Sequence, residues 1–302
     1  MKAVMYACDQ IQLGHIDTAV AGGMESMSLA PYFIPKARSG LRLGHGEIKD
    51  HMFFDGLEDA YTGGAMGTFA QATADAVGFT REQMDSFALA SLQRANDAIS
   101  NGYFKNEITP VTVATRKGEL HVSEDEQPST AKPEKIPQLK AAFAKDGTIT
   151  AANASSISDG AAALVLMSYA KATALGLKPM ATVKAHVTYA AKPSEFTSAP
   201  VTSIRNVLSK AQWRSDDVDL YEINEAFAMV TMLAMKELGL DHDKVNIHGG
   251  ACALGHPLGA SGARILVTLL HALQRVGKTK GVASLCIGGG EATSIAVELL
   301  PQ

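Results

Sequence analysis

Gly255-His-Pro-Leu-Gly-Ala-Ser-Gly-Ala-Arg264 and Cys286-Ile-Gly-Gly-Gly290 are two glycine-rich turns that place His256 and Cys286 thirty residues apart. An imidazole and a thiol are both proton-transfer groups, and two loops of a compact fold can bring them together. Pro257 pushes His256 out of the helical region into an extended conformation. Ser261 to Val276 reads as a helix, so the imidazole is held on a stiff turn before a helix N-terminus. Taken alone, His256 equally fits a structural residue capping that helix. Cys286 ends an apolar run from Val282 to Ile287 and opens onto Gly288, Gly289 and Gly290. A buried inert cysteine is one reading of it. The glycines supply the other, because they let a ligand and backbone N–H groups approach the sulfur, as an oxyanion site requires.

A third element, Asn224-Glu-Ala-Phe-Ala228, stands at the mouth of a helix read from Glu225 to Leu238. Asn224 fits an N-cap, and its amide also suits holding a water or a carbonyl. Glu225 would put a carboxylate at the helix start, favourable to the dipole. Phosphate cradles are excluded. A P-loop beginning at Gly255 needs Gly-Lys-Ser/Thr at 260–262, where the chain has Ala260-Ser261-Gly262. A dinucleotide fingerprint at Gly288 needs a third glycine at 293, where Thr293 stands.

Composition sets the outer limits. The chain has 302 residues, enough for two domains or one large one, and is 46% hydrophobic and 19% charged, as in ordinary globular proteins. A net charge of −4 argues against a general nucleic-acid binder. No apolar run is long enough for a transmembrane helix, and no secretory pattern opens the chain. Cys8, Cys252 and Cys286 are an odd set without CxxC spacing, so neither a disulfide framework nor a zinc site is expected, and a reducing cytosol is the natural compartment.

Along the chain, Met1 to Gly14 reads as a helix without a start signal, and Asp17 to Ala21 as a short strand ending in Gly22-Gly23, followed by a tight turn at 24–27. Thr80 to Asn101 is the clearest helix, with Thr80 as N-cap, Gln83 three residues on and Gly102 as its stop. Lys117 to Lys140 is charged and proline-bearing, a solvated excursion or a binding loop. Ala161 to Met167 reads as a buried strand. From about 180 onward strands at 181–189, 218–223, 281–287 and 293–299 alternate with helices at 201–211, 225–238 and 261–276. That alternation implies a layered α/β sheet.

The three motifs in this order, together with Asp17-Thr-Ala-Val-Ala-Gly-Gly-Met-Glu-Ser-Met-Ser28, Asp55-Gly-Leu-Glu-Asp-Ala60, Asn153-Ala-Ser155 and Ser158-Asp-Gly-Ala-Ala-Ala163, resemble thiolases, and within them the acetyl-CoA C-acetyltransferase-like enzymes. The resemblance implies a layered α-β-α-β-α fold with an N-terminal domain over 1–177, a loop domain inserted at about 28–150, and a C-terminal domain over 178–302. It implies transfer of acyl groups between CoA thioesters through an acylated cysteine. His256 then corresponds to the base that activates that cysteine and, with a water held by Asn224, stabilises its oxyanion. Cys286 corresponds to the acid/base at the substrate α-carbon, and the N–H of Gly288 to a donor of the second oxyanion hole. Ser155 resembles a pantetheine contact, Phe143 a residue lining the CoA cleft, and Phe227 and Met66 parts of the acyl pocket. The implied partners are acetyl-CoA, acetoacetyl-CoA and CoA, as substrates, with no metal or redox cofactor, in a cytoplasmic homodimer or homotetramer.

The chain also departs from the family pattern. Ala65 stands where many biosynthetic members have histidine, Ser129 near where an arginine often meets the nucleotide end, and Glu291-Ala292 where Met-Gly is common. By the resemblance, the family's nucleophilic cysteine would fall four residues before Met1, leaving the N-terminal domain incomplete. Cys8 lies about two turns along its helix, ~10 Å from the start. The chain alone is therefore expected not to form the acyl-enzyme, and its N-terminal sheet to expose an edge and an apolar face. Two other readings are a non-catalytic CoA-binding subunit and a ketoacyl synthase-like condensing enzyme. Cys286 argues against the second, which uses a histidine there.

Overall fold

Apolar residues at helical spacing make α1 (Lys2–Gln12), which buries Val4, Met5, Ala7 and Cys8 on one stripe. It leads into β1 (Thr18–Ser26) and then, through β2 (Tyr32–Phe33) and β3 (Lys49–Asp50), into a region of short elements. Two helices follow, α2 (Met66–Val77) and α3 (Arg81–Ser100). A capping box starts α3: the Gln83 N–H donates to Thr80 Oγ1 at 3.2 Å, and the Thr80 N–H to Gln83 Oε1 at 3.0 Å. The charged stretch then forms an exposed hairpin of β4 (Val111–Thr115) and β5 (Gly118–Val122), and after it α4 (Glu126–Thr130). The excursion is not wholly solvated, because Pro128 and Ile136 are buried. The computed structural model that shows this describes residues 1–301.

The remainder runs β6 (Asp159–Met167), α5 (Tyr169–Ala174), β7 (Ala181–Ala190), α6 (Ala199–Ala211), β8 (Leu220–Ile223), α7 (Ala228–Leu238), α8 (Ala251–Leu254), α9 (Leu258–Val276), β9 (Lys280–Ile287) and β10 (Glu291–Leu299). Two sheets carry the fold. Strands β1 and β6 pair antiparallel from Thr18–Met167 to Ser26–Asp159. The second sheet has the order β7-β10-β9-β8, with β8 parallel to β9 and the other pairs antiparallel. Its central strands are apolar and buried on both faces, as sheets covered on both sides require.

Helices α1 and α9 lie between the two sheets. Val4, Met5 and Cys8 pack with Leu266, Leu269 and Leu273 of α9, with Ala21 below and with Leu220, Ala283 and Ile295 above. Helices α6 and α7 cover the far face of the second sheet, where Ile204, Val207, Met229 and Val230 meet Tyr221, Ile223 and Val282. The layered α/β architecture is thus present, in the order β1–β6, α1 with α9, the second sheet, and α6 with α7. Outside the first layer the sheet face is open and apolar, with Val20 at 75%, Met24 at 79% and Val165 at 65% exposure. That open face was expected of the sheet as a whole, but it corrects the reading of 161–167 as a buried strand. Burial there alternates, because only Leu164 and Leu166 point at the inner helices.

Another difference concerns the first strand. Gly22-Gly23 lies inside β1 rather than ending it, and 24–26 continue the strand. The glycines mark crowding. A Cβ at Gly22 would overlap the Ala162 carbonyl, and one at Gly23 the Gly259 carbonyl at the start of α9. The sequence signature of a turn here records close packing instead. Thr80→Ala removes the α3 cap and is expected to lower unfolding stability by ~1 kcal/mol, with Thr80→Ser close to unchanged. Denaturant midpoints at constant m-value check both.

Candidate active site

The end of β8 delivers Asn224, and the end of β9 delivers Cys286. The parallel pairing of these strands aligns Ile223 with Ser284, and the Asn224 N–H donates to the Ser284 carbonyl at 2.9 Å. Two residues beyond Ser284 the strand reaches Cys286, just before the three-glycine turn into β10. Asn224 does not cap a helix. Helix α7 begins only at Ala228, whose N–H donates to the Asn153 carbonyl, and Phe227 occupies the cap position. The extra residues form a loop that frees the Asn224 side chain for another partner.

That partner is His256. Its Nε2 lies 3.3 Å from Asn224 Nδ2 and its Nδ1 lies 2.5 Å from Ser261 Oγ. The Ser261 hydroxyl donates its proton to the Pro257 carbonyl at 2.9 Å, so toward the imidazole it is an acceptor. The ring proton therefore sits on Nδ1, and Nε2 carries the lone pair that faces the Asn224 amide. Burial, and then the nearby Arg264 guanidinium, push the imidazole down to about 3. His256 is consequently a neutral base. Asn224 Oδ1 is buried without a protein partner. The helix-capping reading of His256 does not hold, because Pro257 is the cap residue of α9 and no side chain caps it.

Cys286 is 6% exposed, and burial pushes its thiol up to about 12, so it is protonated at neutral pH. It belongs to the same apolar cluster as Phe227, with Met66 and Phe143 packed against that cluster. The rings of Phe143 and Phe227 meet edge to face at 6.0 Å. Gly67 makes room for this arrangement, since a Cβ there would run into the Phe143 ring. Met66 Sδ in turn lies 3.6 Å from the point where a Cβ of Gly288 would stand. Ser155 is tied to the same loop as Asn224: its N–H and its hydroxyl both donate to the Ala226 carbonyl, at 3.0 and 2.9 Å. Its neighbour Ser156 accepts the His256 N–H at 3.2 Å.

All eight singled-out residues therefore fall in one connected neighbourhood. It runs from His256 through Asn224 to the Cys286 strand, from Gly288 through Met66 and Phe143 to Phe227, and from Phe227 through Ala226 and Ser155–Ser156 back to His256. Of the other cysteines, Cys252 packs against the same apolar cluster but is tied to Glu225 rather than to the Asn224–His256 pair, and Cys8 lies in the separate packing of α1. Cys252 donates its N–H to Glu225 Oε2 at 3.0 Å, and burial holds its thiol well above the ordinary range. Cys8, in the packing of α1, is raised to about 11 by burial and then by Asp9. A cavity of about 760 Å³ lies elsewhere, among Cys8, Leu166, Met180, Leu266 and His271, and contains none of the eight.

Sequence reading missed Ser261, Arg264 and Glu225 as parts of the site. Ser261 carried a signal, since it lies one helical turn into α9 and within reach of the turn that holds His256. Arg264 donates to the carbonyls of Gly255 at 2.8 Å and Leu254 at 3.4 Å, clamping the backbone just before His256. Glu225 does not face a helix dipole. It is 1% exposed and receives Ser91, Asn246 and Cys252 as donors.

Comparison with known proteins agrees with this geometry. Family models match residues 1–170 (Thiolase, N-terminal domain) and 177–299 (Thiolase, C-terminal domain). An acetyl-CoA acetyltransferase of Pseudomonas aeruginosa is 48% identical over 299 residues, 98% of this chain and 76% of that protein. The crystal structure of the Bacillus anthracis acetyl-CoA acetyltransferase superposes with a TM-score of 0.96 at 44% identity, covering 99% of this chain and 76% of that one. Acat5 thiolase from Ascaris suum, solved in complex with coenzyme A, gives 0.93 at 44% identity with the same coverage. With both domain models matched in order across nearly the whole length and relatives at this identity, the chain belongs to the thiolase family.

Proposed function

We propose that the chain carries the proton-transfer half of an acyl-CoA C-acyltransferase site, for Claisen condensation of two acetyl-CoA to acetoacetyl-CoA and for CoA-dependent thiolysis of 3-ketoacyl-CoA. The observation that carries this reading is the contact of His256 Nε2 with the amide of Asn224, which follows β8, together with the buried Cys286 thiol near the end of β9, the strand paired with β8. The names of the relatives, acetyl-CoA acetyltransferases and a thiolase bound to coenzyme A, support the substrate class.

The chemistry follows from the protonation states. A cysteine nucleophile attacks the acyl carbonyl of a CoA thioester and gives its proton to His256 Nε2; the carbonyl oxygen becomes an oxyanion, and CoA leaves with a proton from Cys286. The free Asn224 Oδ1 suits a water that donates to that oxyanion beside Nε2. Cys286, now a thiolate in an apolar site, is a strong base and removes the α-proton of a second acetyl-CoA. The resulting carbanion attacks the acyl-cysteine, forming the carbon–carbon bond and expelling the cysteine sulfur, which recovers its proton from His256. The N–H of Gly288 is the donor to the second oxyanion. In thiolysis the same steps run backward and Cys286 protonates the α-carbon. Ser155 and Phe143 flank the thioester arm, while Phe227 and Met66 bound the acyl group.

None of the three cysteines of this chain suits the nucleophilic role. Cys286 is the α-carbon acid/base, Cys252 is tied beside the Glu225 carboxylate, and Cys8 sits in the α1 packing. We therefore assign the acylated cysteine to a segment outside these 302 residues, and expect the chain alone to be inactive. The same reading divides the chain at about 177, with residues 28–150 as an inserted loop domain, and makes it a cytoplasmic homodimer or homotetramer. Among the described residues no helix is long and apolar enough to cross a membrane. The second reading, a non-catalytic CoA-binding subunit, draws on the same cysteine inventory.

Incubation of the purified 302-residue chain with radiolabelled acetyl-CoA is expected to leave no label on any cysteine, and acetoacetyl-CoA thiolysis to appear only when an upstream segment bearing the family cysteine is supplied. Label on Cys8, Cys252 or Cys286 would overturn the assignment, and inactivity with the segment present would favour the CoA-binding reading. In such a complete form Cys286→Ala is expected to reduce condensation roughly 100- to 10,000-fold, the span of a lost general acid/base. Steady-state rates of acetoacetyl-CoA formation measure it.

A further inference from the structure

Behind the Asn224–His256 pair lies a buried carboxylate that the reaction above does not use. Glu225 follows Asn224 directly, and its two oxygens are held from three separate parts of the chain. Oε2 accepts from Ser91 Oγ of α3 at 2.8 Å and from the Cys252 N–H of α8 at 3.0 Å; Oε1 accepts from Asn246 Nδ2 at 2.9 Å. Two of these donors make further bonds. Ser91 Oγ accepts the Gly250 N–H at 2.9 Å, and the Asn246 amide accepts from the Ile223 N–H and donates to the Ile223 carbonyl, both at 2.8 Å. Gly250 belongs to the same device, because a Cβ there would overlap the Glu225 carboxylate. The network therefore ties the backbone on both sides of Asn224 to the segment 246–252 that leads directly into His256.

Every contact to the carboxylate is a donor, and that dictates the residue type. Glutamine would have to turn its NH₂ toward either Asn246 Nδ2 or the Ser91–Cys252 pair, setting donor against donor in a buried site. An apolar residue would leave three buried donors without acceptors. We propose that Glu225 is a positioning residue: its carboxylate locks the Asn224 loop onto the His256 segment and so aims the Asn224 amide at the imidazole Nε2. Arg264 completes the lock from the other side through the Gly255 carbonyl. The charged groups around this core are Glu222 on β8, Glu107, Asp125 and Arg94, with Arg264 on α9. The inference rests on the reading of His256 as the base, but its test does not need turnover.

The test reads the His256 ring by proton–nitrogen correlation in isotope-labelled 302-residue chain, with the signal assigned by its loss in His256→Gln. In the unaltered chain the ring is expected to hold its proton on Nδ1 and not to titrate between about pH 5 and 8, the range where an ordinary histidine charges. Glu225→Gln is expected to leave the proton on Nδ1, where Ser261 holds it, and to shift the Nε2 resonance, because the Asn224 amide is no longer aimed at that nitrogen. Asn224→Ala should do the same, and combining the two should add nothing, because Glu225 acts through Asn224. Ser91→Ala, which removes one donor and keeps the carboxylate, should move the ring in the same direction by less, and decides the matter if Glu225→Gln does not fold. An unchanged Nε2 resonance in folded Glu225→Gln, or additive effects of the two substitutions, would overturn the proposal. In a catalytically complete form, Glu225→Gln should lower kcat about 10- to 100-fold with little change in KM, the signature of lost orientation. A displaced ring in protein that never turns over CoA thioesters would sink the functional reading and leave the positioning role standing.

Discussion

The proton of Ser261 is committed to the Pro257 carbonyl, and from that single bond the state of the site follows. An acceptor at Oγ forces the imidazole to carry its proton on Nδ1. Nε2 is then a bare lone pair, and only a donor can face it, which fixes the orientation of the Asn224 amide with Nδ2 inward and Oδ1 away. Burial beside Arg264 keeps the ring from charging, so the arrangement does not switch with pH in the neutral range. A serine in the first turn of α9 thus sets the roles of two residues that lie on other elements.

That chain of consequences depends on backbone proximity. The loop of Asn224 reaches His256 because β8 and β9 run side by side, and the turn of His256 reaches the first sheet because Gly23 lets β1 approach the Gly259 carbonyl. Glu25 adds a charged tie at the same place, accepting the Gly259 N–H at 3.0 Å at the N-terminus of α9. The inner helix α9 is therefore held at its start by both sheets, and His256 rides on that fixed end. Rigid placement of a base costs little at the moment of reaction, since the protein has already ordered it.

Much of this was legible in the sequence, and the unread part has a common cause. The capping box of α3 could be read because Thr80 and Gln83 are three residues apart and need no other part of the chain. The His256 and Cys286 turns could be read because glycine and proline constrain backbone locally. Gly22-Gly23 was misread because its reason, the Ala162 and Gly259 carbonyls, lies far along the chain. Asn224 looked like a cap because the rule that places caps knows nothing of the Asn153 carbonyl that takes the Ala228 N–H and delays α7. Glu225 looked like a helix-start carboxylate for the same reason. Its donor Ser91 is 134 residues away in sequence, beyond any motif.

The three cysteines carry the argument one step further. All are free, and burial raises all of their thiols, so protonation state alone does not distinguish them. Their neighbours do. Cys8 has the packing of two inner helices around it, and Cys252 has the Glu225 carboxylate, which would repel a thiolate. Only Cys286 stands at a strand end where three glycines follow and where the Asn224–His256 pair is one strand away. A thiol raised to about 12 is a poor nucleophile at rest, because the thiolate is scarce, but once deprotonated it is a strong base. The environment that makes Cys286 unsuited to being acylated is the same one that suits it to removing a proton from carbon.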